Sequence, residues 1–345
     1  MNHDTILVTG GAGFIGSALV RLLLSKTQFS VINVDKLTYA GDLNRLHQFL
    51  DSPQHHFIQQ DICQKNIMHD ILSQYRPHKI IHIAAESHVD RSISAPDNFI
   101  QSNIVGTFSL LSATLEYYQS LPENNKQYFR FVHLSTDEVF GTLNSEDKPF
   151  DENSPYKPNN PYSASKAAAD HLVYAWHKTY GLPTIICHSC NNYGEFQYPE
   201  KLIPLTITRA LMQQAIPIYG DGSQIRDWLY VEDNADALFT IIQKGLIGER
   251  YLIGANNEWT NLSLVKKICT ILDEICPINN GTQSYQNLIE FVPDRSGHDT
   301  RYAINADKLR TKLLWNPKNN FEISLRKTVQ WYVKQFKKSA GKKID

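Results

Sequence analysis

The chain has 345 residues, a formal net charge of −1 and 42% hydrophobic residues. This balance is typical of an ordinary globular protein, and the length allows one large domain or two modest ones. A near-zero charge disfavours a nucleic-acid binder, which normally carries a basic excess, and no apolar run reaches the about 18 residues that a membrane span needs. We therefore expect neither nucleic acid nor a membrane as a partner.

Residues 1–4 lead directly into a strand-like segment, so the sequence predicts no signal peptide. The cysteines are an odd set, as expected of reduced thiols in the cytoplasm: Cys63, Cys187, Cys190, Cys269 and Cys276. Cys187 and Cys190 form a CxxC, but no second pair completes a zinc site and no helix start follows to activate a thiolate. The pattern predicts buried, inert thiols, no metal site and a cytoplasmic location.

Short apolar runs in the N-terminal half alternate with helical patterns. The predicted strands are Thr5–Thr9, Ser30–Val34, Phe57–Gln60, Lys79–Ile83, Phe129–Leu134 and Thr184–Cys187, and the predicted helices include Ile15–Lys26, Gln101–Tyr118 and Pro161–Tyr180. Alternation of this kind indicates an α/β fold, a Rossmann-type doubly wound parallel sheet covered by helices on both faces.

The helix at Pro161 has clear boundaries. Asn160 is a suitable N-cap, Pro161 fits the first helical position, and Gly181 followed by Pro183 ends the pattern.

After about residue 190 the pattern becomes irregular and rich in proline and glycine. We interpret residues 1–190 as a dinucleotide-binding domain and residues 336–345 as a tail. Residues 191–335 would be a smaller mixed α/β substrate-binding part, interleaved with the last elements of the large sheet.

A glycine-rich turn follows the first predicted strand and directly precedes a helix. Residues 9–16 read TGGAGFIG, with glycines at Gly10, Gly13 and Gly16. These glycines permit a tight turn, a close backbone approach to a pyrophosphate and close helix–sheet packing. The helix N-terminus offers free N–H groups to an anion. The turn predicts a dinucleotide site.

The acidic residue Asp35 ends the second predicted strand, where a carboxylate would bind a ribose 2′-hydroxyl. The same carboxylate would repel a 2′-phosphate, so we expect NAD rather than NADP, although Lys36 is adjacent. Asp61, after the third strand, is placed to meet the adenine.

Tyr162 and Lys166 lie four residues apart and therefore on one face of a helix. A tyrosine has a pKa near 10, and a neighbouring ammonium lowers it. Removal of a hydroxyl proton during hydride transfer from an alcohol needs such a base. Following a dinucleotide turn, the pair predicts a catalytic site.

A second polar cluster, Ser135 to Glu138, stands at the carboxyl end of the strand Phe129–Leu134. Ser135 and Glu138 match a capping box for a following helix, which is one explanation. Two adjacent carboxyl groups beside a hydride-transfer site also suit an acid and a base for an elimination. Spacing alone leaves both readings open.

Together these segments resemble the dTDP-glucose 4,6-dehydratases, in the extended short-chain dehydrogenase/reductase group. The resemblance runs from about Thr5 to Trp331. It is carried by TGGAGFIGSALV, VDKLTYAG, AAESHVDRSI, STDEVFG, PYSASKAAADHL, NNYG, PEKLIPL, PIYGDG, QIRDWLYVEDNA and the segment Asp294–Ala303.

The resemblance implies catalytic roles for five residues. Tyr162 would take the sugar 4-hydroxyl proton, with Lys166 lowering its pKa and Thr136 hydrogen-bonding the same oxygen. NAD would accept the C4 hydride. Glu138 would then remove the C5 proton while Asp137 protonates the departing 6-hydroxyl, and the hydride would return to C6 with net loss of water.

The resemblance also implies the binding residues. Besides the glycines, Asp35, Asp61, Tyr162 and Lys166, those implied for NAD are Phe14, Ile15, Lys36, Thr38, Ile62, Ala84, Ala85, Ser102 and Asn192. Those implied for a nucleotide-sugar are Ser87, Thr136, Asn191, Lys201, Leu202, Pro217, Tyr219, Arg226, Asn261, Arg295 and His298. An arginine suits a pyrophosphate, but Arg226 could instead form an ion pair with Asp227 or Asp233.

The chain departs from the family pattern at four positions, Phe140, Cys190, Glu195 and Ser296. None removes a catalytic group, but Glu195 would add a negative charge to a loop near an anionic ligand. Alternatives are a UDP-glucose 4,6-dehydratase, a nucleotide-sugar 4-epimerase, which does not need the Asp137–Glu138 pair, and a non-catalytic NAD-binding regulator. The residues alone do not choose between thymine and uracil. The family's habit also predicts a homodimer, with 101–118 and 161–180 pairing in a four-helix interface.

Overall fold

The computed structural model describes residues 5–278 and 283–341; the predicted absence of a leader at residues 1–4 and the last residues of the predicted tail, 342–345, lie outside them. The strands are β1 Thr5–Thr9, β2 Ser30–Asp35, β3 His55–Gln59, β4 Lys79–His82, β5 Arg130–Thr136, β6 Thr184–Ser189, β7 Asn191–Tyr193, β8 Ile216–Tyr219, β9 Ile225–Tyr230, β10 Arg250–Ile253, β11 Glu258–Thr260 and β12 Ile289–Val292.

The α-helices cover both faces of the main sheet and build most of the C-terminal part. They are α1 Phe14–Lys26, α2 Lys65–Tyr75, α3 Val89–Ser94, α4 Pro96–Phe99, α5 Gly106–Ser120, α6 Glu123–Lys126, α7 Pro161–Tyr180, α8 Leu202–Leu211, α9 Val231–Lys244, α10 Asn261–Ile275, α11 Asp307–Leu313 and α12 Phe321–Gly341.

Seven strands form one parallel sheet in the order β10-β6-β5-β4-β1-β2-β3. The chain leaves β1 toward β2 and β3 on one side and resumes at β4 on the other. The carboxyl ends of β1 and β4 therefore flank a crevice at the point where the strand order reverses, which is where open α/β sheets bind ligands. The predicted Rossmann-type parallel sheet is confirmed.

Apolar residues pack on both faces of this sheet, as continuous buried strands require. One cluster joins α1, α9 and α11 to the sheet, with Leu19, Leu23, Leu238 and Ile241 fully buried. The other joins α2 and α5 to the opposite face.

The C-terminal part has its own apolar core, in which α8, α10 and α12 pack beside two small sheets. One small sheet has the order β11-β9-β7 and the other pairs β12 with β8. Because β10 of this half joins β6, the chain crosses between the two parts more than once. The division at residue 190 stays a prediction.

The predicted boundaries of α7 agree with the structure. The Asn160 side chain accepts a hydrogen bond from the Ser163 N–H, Pro161 occupies the first turn, and Gly181 is left-handed with φ 69°. This fixes the register of the helix that carries Tyr162 and Lys166.

The predicted helix Gln101–Tyr118 is more complex than expected. Residues Ile100–Val105 form a π-helical turn that runs into α5. Wide turns of this kind often occur at functional sites, and here Ser102 and Asn103 of the turn are buried toward the sheet edge. A regular apolar periodicity does not reveal such a turn.

Among the described residues, no helix is both long enough and apolar enough to cross a bilayer.

Candidate active site

A cavity of about 460 Å³ lies at the carboxyl edge of the large sheet and extends toward the C-terminal part. Its lining includes the glycine turn after β1, the ends of β4 and β5, the first turns of α7, and residues from β8, β9 and α8. Every binding or catalytic residue predicted from the sequence lines it, except Asp61.

The glycine turn has no room for side chains. Gly10 has φ 74°, and a Cβ on it would lie 2.7 Å from the Ala84 backbone. A Cβ on Gly16 would lie 2.0 Å from the Gly10 carbonyl oxygen. Gly13 is the N-cap of α1 and makes no side-chain hydrogen bond to the helix. The first N–H groups of α1 therefore remain free to bind an anion in the cavity.

Asp35 faces the cavity at the end of β2. Its carboxylate accepts hydrogen bonds from the N–H groups of Ala12 (3.0 Å) and Leu37 (2.8 Å), which hold the glycine turn and the following loop. Lys36 Nζ donates to Ser102 Oγ at 2.8 Å. The positions fit the ribose end of a dinucleotide.

Asp61 follows β3, and its contact with an adenine stays a prediction. Its carboxylate accepts the Cys63 N–H at 2.9 Å and lies 3.6 Å from Lys36 Nζ, while Gln60 and Ile62 line the cavity. The carboxylate is thus hydrogen-bonded within its own turn and lies near Lys36, which itself lines the cavity.

Tyr162 and Lys166 both face the cavity from the first two turns of α7. Lys166 Nζ donates to the Leu134 carbonyl oxygen of β5 at 2.8 Å. Only 8% of Tyr162 and 3% of Lys166 is exposed, so water contributes little to their surroundings. The pair is held against the end of β5.

Lys166 is expected to lower the pKa of Tyr162, but in the protein alone the pKa of Tyr162 is raised. Burial, followed by the Glu138 carboxyl, raises the pKa of Tyr162, while the Thr136 hydroxyl lowers it. Burial also lowers the pKa of Lys166 to about 8. Any net activation of the phenol therefore depends on further charge brought into the site.

The last residue of β5 and the short turn after it bring two carboxyl groups to the cavity. Thr136 caps a short 3₁₀ helix, Asp137–Phe140, by accepting the Glu138 N–H, whereas Ser135 donates to Asp170. The capping box of Ser135 and Glu138 is therefore wrong as an explanation. Asp137 is 1% exposed, and its Oδ2 has no hydrogen-bond partner among the described residues.

Both carboxyl groups hold protons more tightly than usual. Burial, then Glu138 and Asp227, raise the pKa of Asp137 well above its ordinary value. Burial also raises the pKa of Glu138, but Arg295, Arg226 and Lys201 act against that rise. One carboxyl is thus biased toward the acid form, and its neighbour faces three cations that favour its base form.

The remaining side of the cavity is basic. Lys201 Nζ donates to the Ser87 carbonyl oxygen at 2.8 Å, Arg295 lies 3.3 Å from Asp90, and His298 Nδ1 lies 2.6 Å from Asp294. Burial lowers the pKa of His298, so the cations among these three are Lys201 and Arg295, and such groups suit a phosphate-bearing ligand.

Arg226 does not form the ion pair that the sequence allowed. It donates to the carbonyl oxygens of Ile225 (2.7 Å) and Asp299 (2.9 Å) and stacks over the Tyr302 ring. Asp227 instead accepts the N–H groups of residues 255–257. Arg226 therefore keeps its charge at the cavity wall.

Glu195 also differs from expectation, because it does not line the cavity. Its carboxylate accepts a hydrogen bond from Tyr230 Oη at 2.7 Å and lies 3.1 Å from Lys327 Nζ of α12. The negative charge of Glu195 is thus directed toward Tyr230 and Lys327 and away from the cavity. Cys190 does line the cavity, and Cys187 and Cys190 are buried free thiols as predicted.

Several cavity residues had no role in the sequence prediction. Arg45 is the most connected, since its guanidinium donates to the carbonyl oxygens of Ala12, Ala40 and Phe196. Others are Tyr39, Glu86, His88, Asp90, Gln197, Tyr198, Glu200 and Tyr302. Asp90 and Tyr39 fall inside quoted motifs, but nothing in their spacing indicates which way the side chains point.

Groups of three or more possible metal ligands do not occur in the part of the chain that the structure describes. A glycine turn, a strand-end aspartate and a Tyr–Lys pair around one cavity define the class: this is a short-chain dehydrogenase/reductase of the extended type.

Comparison with known proteins gives the family. Residues 7–328 match the family model described as GDP-mannose 4,6 dehydratase, and the chain belongs to this family. A dTDP-glucose 4,6-dehydratase from Neisseria gonorrhoeae is 55% identical over 329 residues, which is 95% of each chain.

Solved structures agree with this assignment. A dTDP-glucose 4,6-dehydratase from Bacillus anthracis, in complex with NAD, is 42% identical with a TM-score of 0.83 over 96% of each chain. Another from Streptomyces venezuelae, also with NAD bound, is 38% identical with a TM-score of 0.86, covering 96% of this chain and 97% of that one.

Proposed function

We propose that the chain is an NAD-dependent dTDP-glucose 4,6-dehydratase, which converts dTDP-glucose into dTDP-4-keto-6-deoxyglucose. The observation that carries this proposal is the placement of Tyr162, Asp137 and Glu138 around one cavity whose other end is a dinucleotide turn. An alcohol oxidation needs only the first of these groups. An elimination of water also needs an acid and a base.

The cofactor end of the cavity fits NAD. Because Gly10, Gly13 and Gly16 have no side chains, the backbone of the turn can approach a pyrophosphate closely. The Asp35 carboxylate at the ribose position disfavours a 2′-phosphate. When bound, NAD supplies hydride chemistry, taking a hydride from sugar C4 and returning one to C6.

Tyr162 would accept the proton of the sugar 4-hydroxyl. Thr136 faces the same phenol and would hydrogen-bond the substrate oxygen, while the Lys166 ammonium offsets the charge that develops on the Tyr162 oxygen. The positive nicotinamide ring of NAD would, together with Lys166, lower the pKa of Tyr162 and so oppose the effect of its burial.

Glu138 and Asp137 would carry out the elimination. A C4 ketone acidifies the C5–H, so Glu138, facing Arg226 and Arg295, would take this proton as the base and return a proton to C5 when the hydride reaches C6. Asp137, whose pKa is raised by burial and by Glu138, would remain protonated and give its proton to the departing 6-hydroxyl. The two pKa environments support this assignment of acid and base.

The basic side of the cavity would hold the nucleotide. Arg226 and Arg295 are placed to bind the pyrophosphate, and Tyr219, Leu202 and Pro217 would surround the base. A 4-epimerase is less well supported, because nothing in epimerisation uses the Asp137–Glu138 pair.

A homodimer built on α5 and α7 is also proposed. The exposed side of this helix pair carries Phe108 and Tyr174, which are 47% and 42% exposed, together with Val105 and Tyr180. Large exposed apolar side chains on adjacent helices suit a protein interface. Light scattering after size exclusion is expected to give twice the chain mass, and a monomer would contradict the dimer. A cytoplasmic location stays a prediction.

The function is tested by incubating the purified protein with dTDP-glucose, UDP-glucose and GDP-mannose in separate reactions. Loss of one water from dTDP-glucose, without NADH build-up, is expected by mass spectrometry and absorbance. Turnover of another nucleotide-sugar alone would keep the chemistry and reject the thymidine preference. Inertness toward all three would reject the function.

A further inference from the structure

A buried polar cluster lies beside the catalytic pair, between α7 and the ends of β5 and β6. Its centre is Asp170 of α7, which is 1% exposed. Ser135 Oγ donates to Asp170 Oδ2 at 2.8 Å, His188 lies 3.1 Å from the same oxygen, and His133 lies 3.2 Å from Oδ1. A carboxyl group at this depth is costly unless it has a defined role or partner.

Asp170 follows Lys166 by one helical turn, so both side chains extend from the same face of α7. Both are also bound by adjacent residues of β5. The Lys166 ammonium donates to the Leu134 carbonyl oxygen, and the Asp170 carboxylate accepts from Ser135. The end of β5 thus binds a cation and an anion from successive turns of α7, and both are almost fully buried.

The charges around this pair identify Asp170 as the anion. Burial would raise the pKa of Asp170, but hydrogen bonds from His133 and His188 reverse the shift and hold the carboxyl ionised. Burial lowers the pKa of His133 to about 4, and burial lowers that of His82 well below its usual range. These two imidazoles are therefore neutral at neutral pH and do not compete with Lys166 in neutralising the Asp170 carboxylate.

Other titratable groups face the pair from the neighbouring elements. They are Tyr156 before α7, His188 and Cys187 of β6, and Tyr162 on α7, with Glu138 and Asp137 beyond the phenol. Burial raises the pKa of Tyr156 and Cys187, so both stay neutral. Asp170 is the anion that raises the pKa of Lys166 against its burial.

We infer that Asp170 is a positioning residue for the reaction: its buried carboxylate, one helical turn from Lys166, keeps the Lys166 ammonium charged and in place at the end of β5. The inference rests on the proposed function, because it assigns a task to Lys166. A neutral Lys166 would leave the charge on the Tyr162 oxygen uncompensated. Activity is thus lost as the pH rises through the pKa of Lys166, and Asp170 sets where that loss occurs.

The test is the pH dependence of kcat with saturating dTDP-glucose for the full-length protein and its Asp170→Asn variant. Removal of the negative charge lowers the pKa of Lys166, so the alkaline limb is expected to move to lower pH by about one to three units. Asp170→Glu keeps the charge and is expected to restore the limb.

Ser135→Ala is the matched control. It removes a hydrogen bond to the same carboxylate without removing its charge, so it is expected to lower the Tm and leave the alkaline limb in place. If Asp170→Asn lowers kcat equally at every pH, Asp170 has only a structural role and the inference is overturned. A wild-type protein inert toward dTDP-glucose would instead reject the proposed function.

A second variant covers the case in which Asp170→Asn does not fold. The double variant Lys166→Met with Asp170→Asn removes both buried charges and is expected to recover the folded state, as judged by circular dichroism and a cooperative melt. Failure of the double variant to fold better than the single one would show that Asp170 does not balance Lys166.

Discussion

Tyr230 donates a hydrogen bond to the buried carboxylate of Glu195 at 2.7 Å, and Lys327 of α12 lies 3.1 Å from its other oxygen. Glu195 is one of the four departures from the family pattern, in the loop that continues from Asn191 and Asn192. Its charge is directed into the C-terminal part, so the substitution joins this loop to α12 without placing an anion beside the nucleotide-sugar.

Glu195→Gln is therefore expected to change the KM for dTDP-glucose less than about twofold, because Glu195 does not line the cavity. A twofold change corresponds to about 0.4 kcal/mol. The Tm is expected to fall slightly, since the partner Lys327 is mostly exposed and such pairs contribute little. Lys327→Met serves as the control from the other side of the pair. A large fall in KM for Glu195→Gln alone would mean that the carboxylate does repel the substrate.

Loss of either elimination carboxyl is expected to stop the reaction after oxidation. Asp137→Asn and Glu138→Gln should each lower kcat by about 10²- to 10⁴-fold, the usual contribution of a general acid or base. The NADH absorbance should rise on mixing with dTDP-glucose, because hydride removal at C4 uses Tyr162 instead.

The control for these two variants is Glu146→Gln, on the exposed loop that follows the 3₁₀ helix. It is expected to leave kcat unchanged. If Glu138→Gln is fully active, neither the assignment of the base nor the elimination mechanism survives.

Asp137→Asn is also expected to raise the Tm. The pKa of Asp137 is raised in the folded protein by burial, Glu138 and Asp227. A carboxyl of this kind contributes most to stability at low pH, and this contribution is lost as the pH rises from the unfolded pKa through the folded one. Asparagine does not ionise, so the gain in Tm should grow as the pH increases. Melting curves across the pH range check this, and a gain independent of pH would contradict the raised pKa.

Substitutions in the glycine turn are expected to lower both stability and NAD affinity. Gly16→Ala places a Cβ 2.0 Å from the Gly10 carbonyl oxygen, so the turn must open, at a cost of about 1–3 kcal/mol or more. NAD affinity should fall with it. Gly181→Ala meets no atom within 4 Å but requires φ 69°, so it should cost stability alone. Calorimetry with NAD separates the two, and unchanged NAD binding in Gly16→Ala would remove the turn from the cofactor site.

Much of this architecture could be predicted from the sequence, because its signals are local. The strand Thr5–Thr9 and the helix Pro161–Tyr180 agree with the structure residue for residue, since periodicity and capping residues mark their ends. The glycine turn and the Tyr162–Lys166 pair are also short-range patterns whose position in the fold follows from the element that carries them.

The errors concern side-chain direction. Glu195 and Ser135 occupy the expected segments, but the Glu195 carboxylate accepts from Tyr230 and the Ser135 hydroxyl donates to Asp170, and spacing reveals neither partner. The π-helical turn at 100–105 is likewise set by tertiary contacts such as that of Asn103 with Ser165. Contacts between residues far apart in the chain determine these side-chain directions, and local sequence patterns do not predict such contacts.

The central claim is a closed redox cycle within one active site, and the fate of a labelled hydrogen tests it most directly. With dTDP-glucose carrying deuterium at C4, the product is expected to keep the deuterium at C6, with a solvent hydrogen at C5, as seen by mass spectrometry and NMR. Loss of the deuterium to solvent, or its return to C4 with no loss of water, would contradict the account.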